Sequence, residues 1–255
     1  MARHCRATPP FYLIMKAKTV TLAIAETKVN IKLLLEETGD KFASFLTEYD
    51  ANAPVTGIAR DELDAAKGKY PDFVSDSIIE FNELMIKVVT LLLKQGMPTF
   101  HGTAFIWNEK AWIFTAPSGT GKSTQFFLWK ILFRDEIRLL NGDKTVLRCE
   151  DDGSITVFPT PWAGKEGISS MESAPLGGII YLSQDSENSI EPFKMRDASR
   201  LFSPQFIFSN PTEDDACVLN ATFRTMLRCA SIWHLKNKGD FDSARLAHDT
   251  ILSNL

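Results

Sequence analysis

The stretch APSGTGKST, residues 116 to 124, has the glycines, lysine and hydroxyl side chains of a loop that binds phosphate groups. Residues 111 to 115 before it are rich in β-branched and aromatic side chains, and residues 125 to 133 after it are largely apolar, without glycine or proline. These patterns predict a strand that enters the loop and a helix that leaves it. Strand, glycine-containing loop and helix form the context in which such a motif binds phosphates. A nucleotide is therefore the expected ligand.

Phosphate binding by such a loop rests on backbone N–H groups that converge on the phosphate oxygens. The N-terminus of the following helix adds about half an elementary positive charge. Lys122 is expected to reach the terminal phosphates, and Ser123 to offer its hydroxyl to a Mg²⁺ ion that bridges them. The residues that we expect to contact the nucleotide are Pro117, Ser118, Gly119, Thr120, Gly121, Lys122, Ser123 and Thr124.

The usual form of this motif begins with glycine, whereas this chain has Ala116 at that position. Alanine fits only if the backbone there does not need a positive φ, a conformation that glycine adopts freely. Gly119 and Gly121 are retained and allow a tight turn. The competing interpretation is an ordinary glycine turn beside a lysine, which requires strand, lysine, hydroxyl and helix to coincide by chance.

Composition argues against several functional classes. Hydrophobic residues make up 44% of the 255 residues and charged residues 24%, as in an ordinary globular protein. The formal net charge of -4 argues against nucleic acid as a partner, because binding to a phosphate backbone usually needs a basic face. The four cysteines form no CxxC pair and the four histidines no HxxxH pair. Magnesium bound by oxygen atoms is therefore the metal that we expect.

The chain length fits one catalytic domain that carries an extension. We assign residues 1 to 96 to an N-terminal extension of strands and helices, and residues 97 to 255 to the nucleotide-binding catalytic domain. The longest strongly apolar stretch, residues 88 to 93, is far shorter than the ~20 residues of a membrane-spanning helix. We therefore expect no membrane partner and a cytoplasmic location.

Within the extension, alternating hydrophobicity predicts strands at residues 19 to 25 and 29 to 35, which a hairpin would join. Residues 50 to 71 are interrupted by proline and glycine and predict a loop or a short irregular helix. From residue 78 to residue 92, apolar side chains recur at spacings of three and four, which predicts a helix. We expect this helix to pack the extension against the catalytic domain.

The pattern of the catalytic domain alternates between strands and helices. Strands are predicted at residues 100 to 106, 111 to 115, 137 to 140, 146 to 149, 155 to 158, 177 to 183 and 190 to 193, and helices at residues 125 to 133, 214 to 228 and 241 to 252. Asp143 follows the strand at 137 to 140 and lies 21 positions after Lys122. Ligands of open α/β sheets bind at the carboxyl ends of strands, so Asp143 is a candidate metal ligand and proton acceptor. The alternative is that Asn141 to Lys144 form a simple turn.

Several of these features together resemble the catalytic domain of HPr kinase/phosphorylase. They are His101 with Gly102, the APSGTGKST loop, the apolar strand that ends near Asp143, the loop from Thr160 to Trp162, and the segment LGGIIYLSQD at residues 176 to 185. The likeness is closer to the shorter HPr-kinase-like proteins found beside peptide-modifying genes in bacteria. It covers roughly residues 98 to 235 and leaves out the N-terminal third.

The resemblance implies an α/β fold with a P-loop kinase core of the HPr kinase and phosphoenolpyruvate carboxykinase type, in which helices flank a mixed sheet. It implies ATP, or another nucleoside triphosphate, with Mg²⁺, and phosphorylation of a serine hydroxyl in a peptide or small protein. Lys122, Asp143 and His101 would be catalytic, and Ser123 and Asp143 would hold the metal. The family often forms hexamers, so a homo-oligomer is among the expectations.

One departure from the family pattern bears on activity. The family has two consecutive aspartates after the second strand, whereas this chain has Gly142 and then Asp143. Either Asp143 does both jobs, or another residue takes the proton, or catalysis is weakened or lost. A small-molecule hydroxyl as acceptor, a nucleotide-binding module without turnover and hydrolysis of a phosphoserine therefore remain alternatives.

Overall fold

A computed structural model describes residues 19–164, 167 and 169–255, so residues 1 to 18 of the predicted extension lie outside the described residues. The first two strands, β1 (Thr19–Ile24) and β2 (Thr27–Lys32), form the predicted antiparallel hairpin. The remaining elements of the N-terminal unit are β3 (Leu46–Thr47), β4 (Val55–Gly57), α1 (Glu36–Asp40), α2 (Arg60–Lys67) and α3 (Asp76–Lys94). The four strands form a sheet in the order β3-β1-β2-β4.

Helix α3 confirms the helix predicted from the apolar spacing, and it joins the two parts of the chain. Ile79, Leu84, Val88 and Leu92 are buried in a core with the inner residues of β1 and β2. Trp162, from beyond residue 97, lies in the same core together with Val146 and Phe158. The expected packing of the helix between the two parts is therefore present. The prediction for residues 50 to 71 missed β4, while α2 lies where a short helix was allowed.

The buried carboxylate of Glu80 fixes the start of α1 against α3. It accepts hydrogen bonds from the backbone N–H groups of Leu34 and Leu35, at 2.5 and 3.1 Å, and from the hydroxyl of Thr38 at 2.6 Å. A helix N-terminus leaves backbone N–H groups without intrahelical partners, and a carboxylate satisfies them well. The chain that leaves β2 is thereby tied to α3.

The larger unit is a mixed sheet with helices packed against it. Its strands are β5 (Thr99–His101), β6 (Thr103–Trp107), β7 (Lys110–Thr115), β8 (Arg138–Asn141), β9 (Lys144–Cys149), β10 (Ile155–Phe158), β11 (Ala174–Gln184), β12 (Ser189–Pro192), β13 (Phe206–Ile207) and β14 (Ser231–Asn237). Its α-helices are α4 (Lys122–Phe133), α5 (Ala198–Phe202), α6 (Glu213–Cys229) and α7 (Phe241–Leu252). The strand order is β13-β5-β9-β10-β11-β7-β6-β8, and β14 pairs with β11 and β12.

The strand directions bring two loops to one edge of the sheet. Strand β7 is antiparallel to β6, and β6 is antiparallel to β8, so β7 and β8 run the same way. Their carboxyl ends, at Thr115 and Asn141, therefore lie at the same edge. The loop at residues 116 to 124 and the segment that contains Asp143 leave the sheet from this edge.

Side chains on the two faces of the sheet alternate, as a strand period of two requires. Phe105, Trp107, Trp112 and Phe114 lie in a core with the inner faces of α4 and α7, where Trp129 is fully buried. Their neighbours along the strands, such as Ala104 and Ile113, lie in a second core with residues of β9 to β11 and α6. The sheet is therefore covered on both faces, and packing fixes which side chains of each strand face which core.

The prediction for residues 100 to 106 of this unit was wrong, and α5, β13 and β14 were not predicted. The strand predicted at residues 100 to 106 is two strands, because the chain changes partners at Gly102: β5 pairs with β9, whereas β6 pairs with β7 and β8. Strand β14 was missed between the two C-terminal helices. It pairs in parallel with β11, a partner whose first residue precedes it by more than 50 positions. Among the described residues, no helix is long and apolar enough to cross a membrane.

Gly178 tests the packing of β11 against β7. A Cβ atom at this position would lie 2.2 Å from Cζ3 of Trp112 and 2.7 Å from the carbonyl oxygen of Ser231. We expect Gly178→Ala to lower the free energy of unfolding by about 1 to 3 kcal/mol, because the ring and the strand must shift. The measurement is urea denaturation followed by tryptophan fluorescence.

Gly68→Ala is the matched control. Gly68 has φ of −63° at the end of α2, and the nearest atom to a Cβ there is 3.9 Å away. Alanine at such a position changes stability by less than about 1 kcal/mol, mainly through the unfolded chain. Equal losses of stability in both variants would contradict the close packing of Trp112 over Gly178.

Candidate nucleotide site

The loop at residues 116 to 124, here called the glycine loop, has the backbone that its sequence predicts. Gly119 and Gly121 adopt positive φ values of 80° and 105°, which a residue with a side chain rarely adopts. Ala116 is not among the residues with positive φ, and its methyl group is fully buried in the core beside α4. The condition for alanine at the first position of the motif is therefore met.

Backbone donors of the glycine loop are available to an anion. Within the described residues, the N–H groups of Gly119, Gly121, Lys122 and Ser123 have no protein acceptor. Lys122 is the first residue of α4, a helix of twelve residues, so several of these groups belong to its N-terminus. Unpaired N–H groups and the positive end of a helix together favour a phosphate group.

The side chain of Lys122 folds back onto the glycine loop and is only 8% exposed. Its Nζ atom donates hydrogen bonds to the carbonyl oxygens of Ala116, at 3.0 Å, and Pro117, at 3.3 Å. Burial lowers the pKa of this amino group, the charge of Asp143 opposes that effect, and the charge of Lys144 adds to it. Asp143 and Lys144 are thus close enough to the loop for their charges to change the pKa of Lys122.

Asn141 shapes the turn that carries Asp143. Its Oδ1 atom accepts from the backbone N–H groups of Asp143 and Lys144, at 2.9 and 2.8 Å. Its Nδ2 atom donates to the carbonyl oxygen of Thr160 at 2.8 Å, and the backbone carbonyl of Asp143 accepts from Gly102 at the same distance. Gly142 and Asp143 thus form a short bend between β8 and β9, and this bend places Asp143 in a cleft with the glycine loop.

The carboxylate of Asp143 is engaged on both oxygens. His101 Nε2 lies 3.1 Å from Oδ1, and the Nζ atom of Lys144 contacts Oδ2. Burial alone would raise the pKa of Asp143, but the hydrogen bond from His101 and the charge of Lys144 outweigh it and lower the pKa from 3.8 to about 2. Asp143 is therefore ionised throughout the physiological pH range.

Gln205 holds His101 from the other side, and no local pattern in the sequence pointed to this contact. The His101 Nδ1 atom lies 2.9 Å from Gln205 Oε1, and the Gln205 Nε2 atom donates to the carbonyl oxygen of Leu201 at 3.5 Å. The pairing of Phe206 with Phe100 in β13 and β5 places Gln205 opposite His101 one step further along the register. Both ring nitrogens of His101 therefore lie within hydrogen-bonding distance of side-chain oxygens.

A cleft of about 1170 Å³ joins these groups. Of the predicted site residues, His101, Ser118, Gly119, Gly121, Lys122, Ser123, Thr124 and Asp143 line it. Pro117 and Thr120 belong to the same loop but do not line the cleft. The structure therefore brings the predicted catalytic and metal-binding residues together in one cleft.

Trp162 fixes the wall of the cleft opposite the glycine loop. Its ring is only 3% exposed, and its Nε1 atom donates to the backbone carbonyl of Phe81 in α3 at 2.9 Å. The ring centroids of Phe42 and Phe81 lie 5.9 and 5.6 Å from that of Trp162. Trp162 is thus mainly a packing residue that joins the two units beside the cleft.

Ser123 and Asp143 suit a hydrated magnesium ion. Among the described residues, no group of three or more His, Cys, Asp or Glu side chains could hold a metal. Magnesium in nucleotide sites is usually held by one or two protein ligands, substrate phosphates and water, so a dedicated cage is not required. An ionised carboxylate and a hydroxyl that line one cleft meet this need.

A comparison of the chain with protein-family models and with curated proteins found no match.

The lowered pKa of Asp143 implies that the free energy of unfolding depends on pH. Its pKa is lowered in the folded protein, so its contribution is present above pH ~4 and is lost as the pH falls through about 2. The contribution is about 2 to 3 kcal/mol at most, since one pKa unit corresponds to about 1.4 kcal/mol. We expect Asp143→Asn to unfold more easily at pH 5 and to lose less stability than the wild type between pH 4 and pH 2, as measured by urea denaturation.

Asp151→Asn is the control for this measurement. Asp151 is exposed in the turn between β9 and β10 and forms no ion pair with the described residues. Its variant is expected to follow the wild-type pH dependence. If Asp143→Asn also followed it, the ion pairs of Asp143 with His101 and Lys144 would contribute nothing to stability.

Proposed function

We propose that this protein is a Mg²⁺-dependent phosphotransferase of the P-loop kinase type. It would bind ATP, or another nucleoside triphosphate, on the glycine loop and transfer the terminal phosphate to a hydroxyl, foremost that of a serine in a peptide or small protein. The observation that carries the proposal is that the ionised Asp143 lies in the same cleft as the glycine loop and contacts His101. Its negative charge opposes the lowering of the pKa of Lys122 by burial. Use of ATP fits a cytoplasmic location.

In this proposal, the glycine loop positions the donor. The free N–H groups of Gly119, Gly121 and Lys122 would hold phosphate oxygens together with the N-terminus of α4. The amino group of Lys122 would exchange the carbonyl oxygens of Ala116 and Pro117 for the terminal phosphates. A phosphate dianion is a stronger acceptor for a buried ammonium group than two neutral carbonyls are. Lys122 is therefore held in place before the nucleotide arrives.

Asp143 would act on the metal and on the orientation of the acceptor more than as a base. A carboxylate with a pKa of about 2 is a weak proton acceptor at neutral pH. It is a good magnesium ligand, and its Oδ2 atom would become free when Lys144 turns to the phosphates. A bound Mg²⁺ ion would supply charge neutralisation at the phosphates. Ser123 would hold that ion from the loop side.

The absence of a carboxylate at position 142, where the chain has Gly142, is compatible with this chemistry. The transition state of phosphoryl transfer is loose, so positioning and charge neutralisation contribute more than proton abstraction. The hydroxyl oxygen forms a bond to the terminal phosphorus as the bond to the leaving diphosphate breaks. The hydroxyl proton would then pass to solvent or to the phosphate. Positioning by the His101–Asp143 pair accounts for the chemistry without a base at residue 142.

A specific observation favours a second candidate, nucleotide binding without turnover. Gly142 supplies no carboxylate, and both oxygens of Asp143 are already engaged by His101 and Lys144. If Lys144 never released Asp143, the loop would bind a nucleotide and no transfer would follow. Hydrolysis of a phosphoserine has less support, because it also needs an activated water and no further carboxylate is available at residue 142.

The test of the proposed function is transfer of label from γ-labelled ATP, with Mg²⁺, to a panel of peptides, small proteins, sugars and amino acids. Lys122→Ala and Asp143→Asn should each lower transfer at least about 100-fold, because each removes a charge that acts on the transferring phosphate. Lys122→Ala should also weaken ATP binding, as measured by calorimetry. Lys32→Ala and Asp151→Asn, on exposed surfaces away from the cleft, are the matched controls.

Transfer that survives Lys122→Ala would rule out the glycine loop as the donor site. Binding of ATP without transfer to any acceptor in the panel would establish the second candidate instead.

Gln205 is expected to act as a positioning residue for the His101–Asp143 pair. Gln205→Leu removes the acceptor at His101 Nδ1 and should lower kcat about ten-fold while ATP affinity stays unchanged, as changes behind a functional side chain often do. Gln205→Glu keeps an oxygen at this position and should restore most of the rate. A loss in Gln205→Leu that the Glu variant does not restore would indicate a packing defect rather than a positioning role.

A further inference from the structure

The cleft has a second wall, which the N-terminal unit provides. Beyond the glycine loop and the Asp143 turn, it is lined by residues of α3 and its surroundings, including Lys41, Tyr70, Ile78, Asn82 and Met85. The N-terminal unit is the part of the chain for which the sequence suggested no role. Its contribution to the cleft is the starting point of an inference that rests on the proposed phosphotransferase function.

A chain of hydrogen bonds connects this wall to the backbone of Lys144, the residue after Asp143. The hydroxyl of Thr160 donates to the carbonyl oxygen of Lys144 at 2.7 Å and accepts from the backbone N–H of Trp162 at 3.2 Å. The indole of Trp162 then donates to the carbonyl oxygen of Phe81 in α3. The wall is therefore fixed to the residue that follows Asp143. A hydroxyl that attacks a phosphate beside Asp143 would belong to a molecule that also contacts α3.

The size of the cleft allows a second substrate beside the nucleotide. Pockets for one small ligand commonly enclose about 300 to 1000 Å³. This cleft has a volume of about 1170 Å³ and extends from the glycine loop to α3. A nucleotide on the loop would leave the α3 end for the acceptor.

The chemistry of the wall favours a peptide over a sugar or a free amino acid. Ile78, Asn82 and Met85 recur at helical spacing and lie on one face of α3, with Ile86 beside them. Ile78 is 41% exposed although it is apolar. Sugars and free amino acids need several convergent polar groups. The cleft-facing part of α3 is apolar at Ile78, Met85 and Ile86 and polar at Asn82 and Glu83. The side-chain amide of Asn82 can hydrogen-bond a peptide backbone, and the hydroxyl of Tyr70, which donates to Glu83 at 3.3 Å, can still accept from one.

Lys41 adds a charge to the edge of this wall. Its Nζ atom lies 6.0 Å from the centroid of the Phe81 ring, its side chain is exposed, and it makes no ion pair with the described carboxylates. An exposed lysine at the edge of an apolar surface attracts an acidic group on the molecule that binds there. The wall thus combines an apolar face with a positive edge.

We propose that the cleft-facing side of α3, with Lys41, is the acceptor-binding surface. The acceptor is a peptide segment that places an apolar side chain against Ile78 and Met85, an acidic side chain near Lys41, and its hydroxyl beside Asp143. The N-terminal unit thereby determines which hydroxyl is phosphorylated, and the glycine loop supplies the phosphate.

A degenerate library of nonapeptides with a central serine tests this surface with γ-labelled ATP and Mg²⁺. Free serine and a set of sugars are assayed in parallel. We expect labelled peptides to be enriched in an apolar and an acidic residue near the serine. For the best peptide, Ile78→Asn and Met85→Gln should each raise KM about ten-fold, a typical effect of losing an apolar contact. Lys41→Ala should remove the preference for the acidic residue.

The controls match each substitution on a surface away from the cleft. Ile131→Asn and Met171→Gln alter exposed apolar residues, 60% and 58% exposed, and Lys32→Ala removes an exposed lysine. These variants should keep the wild-type KM for the peptide. ATP affinity, measured by calorimetry, should be unchanged in all six variants, which shows that each is folded.

The outcomes separate this inference from the proposed function. Peptides labelled without sequence preference, or with KM unaffected by the α3 variants, overturn the acceptor surface and leave the phosphotransferase intact. Labelling of sugars or free serine but not of peptides does the same. ATP binding without transfer to any acceptor overturns both proposals. The proposed acceptor surface is supported if labelled peptides are enriched in apolar and acidic residues, and if the Ile78 and Met85 variants, but not their controls, weaken this effect.

Discussion

The close packing of Gly102 against β7 is the constraint on which the candidate site depends. A Cβ atom there would lie 2.5 Å from Cγ2 of Ile113 and 2.7 Å from the carbonyl oxygen of Phe114, so the chain can change strand partners here only at a glycine. The N–H of Gly102 holds the backbone of Asp143, and the hydroxyl of Thr115, just before the glycine loop, holds the carbonyl of His101. One close contact thus sets the positions of the loop, the carboxylate and the histidine together.

The charges around Asp143 determine what the site can do. His101 and Lys144 keep the carboxylate ionised despite its burial, and Asp143 in turn acts on Lys122. Such a group suits metal binding and orientation better than proton abstraction. Gln205 contacts the ring of His101, which in turn contacts the carboxylate of Asp143. Two further side chains therefore position this carboxylate.

The N-terminal unit belongs to the site as much as to the fold. Helix α3 buries one face in a core that also contains Trp162, and its other apolar residues line the cleft. Because Trp162 follows the segment that supports the Asp143 turn, packing of the two units and shape of the cleft are coupled. Helix α3 is apolar over more than one face because one set of its apolar residues packs in the core and another lines the cleft.

Local patterns in the sequence determined most of the elements and the main candidate residues. The glycine loop between β7 and α4, the helix α3 and the position of Asp143 after β8 follow from periodicity and turn chemistry, which act over a few residues. Tertiary structure alone decided the change of partners at Gly102, the parallel pairing of β14, the contact of Gln205 with His101 over 104 positions, and the cleft wall of α3. These features depend on which distant segments pair and pack, and no local pattern encodes that choice.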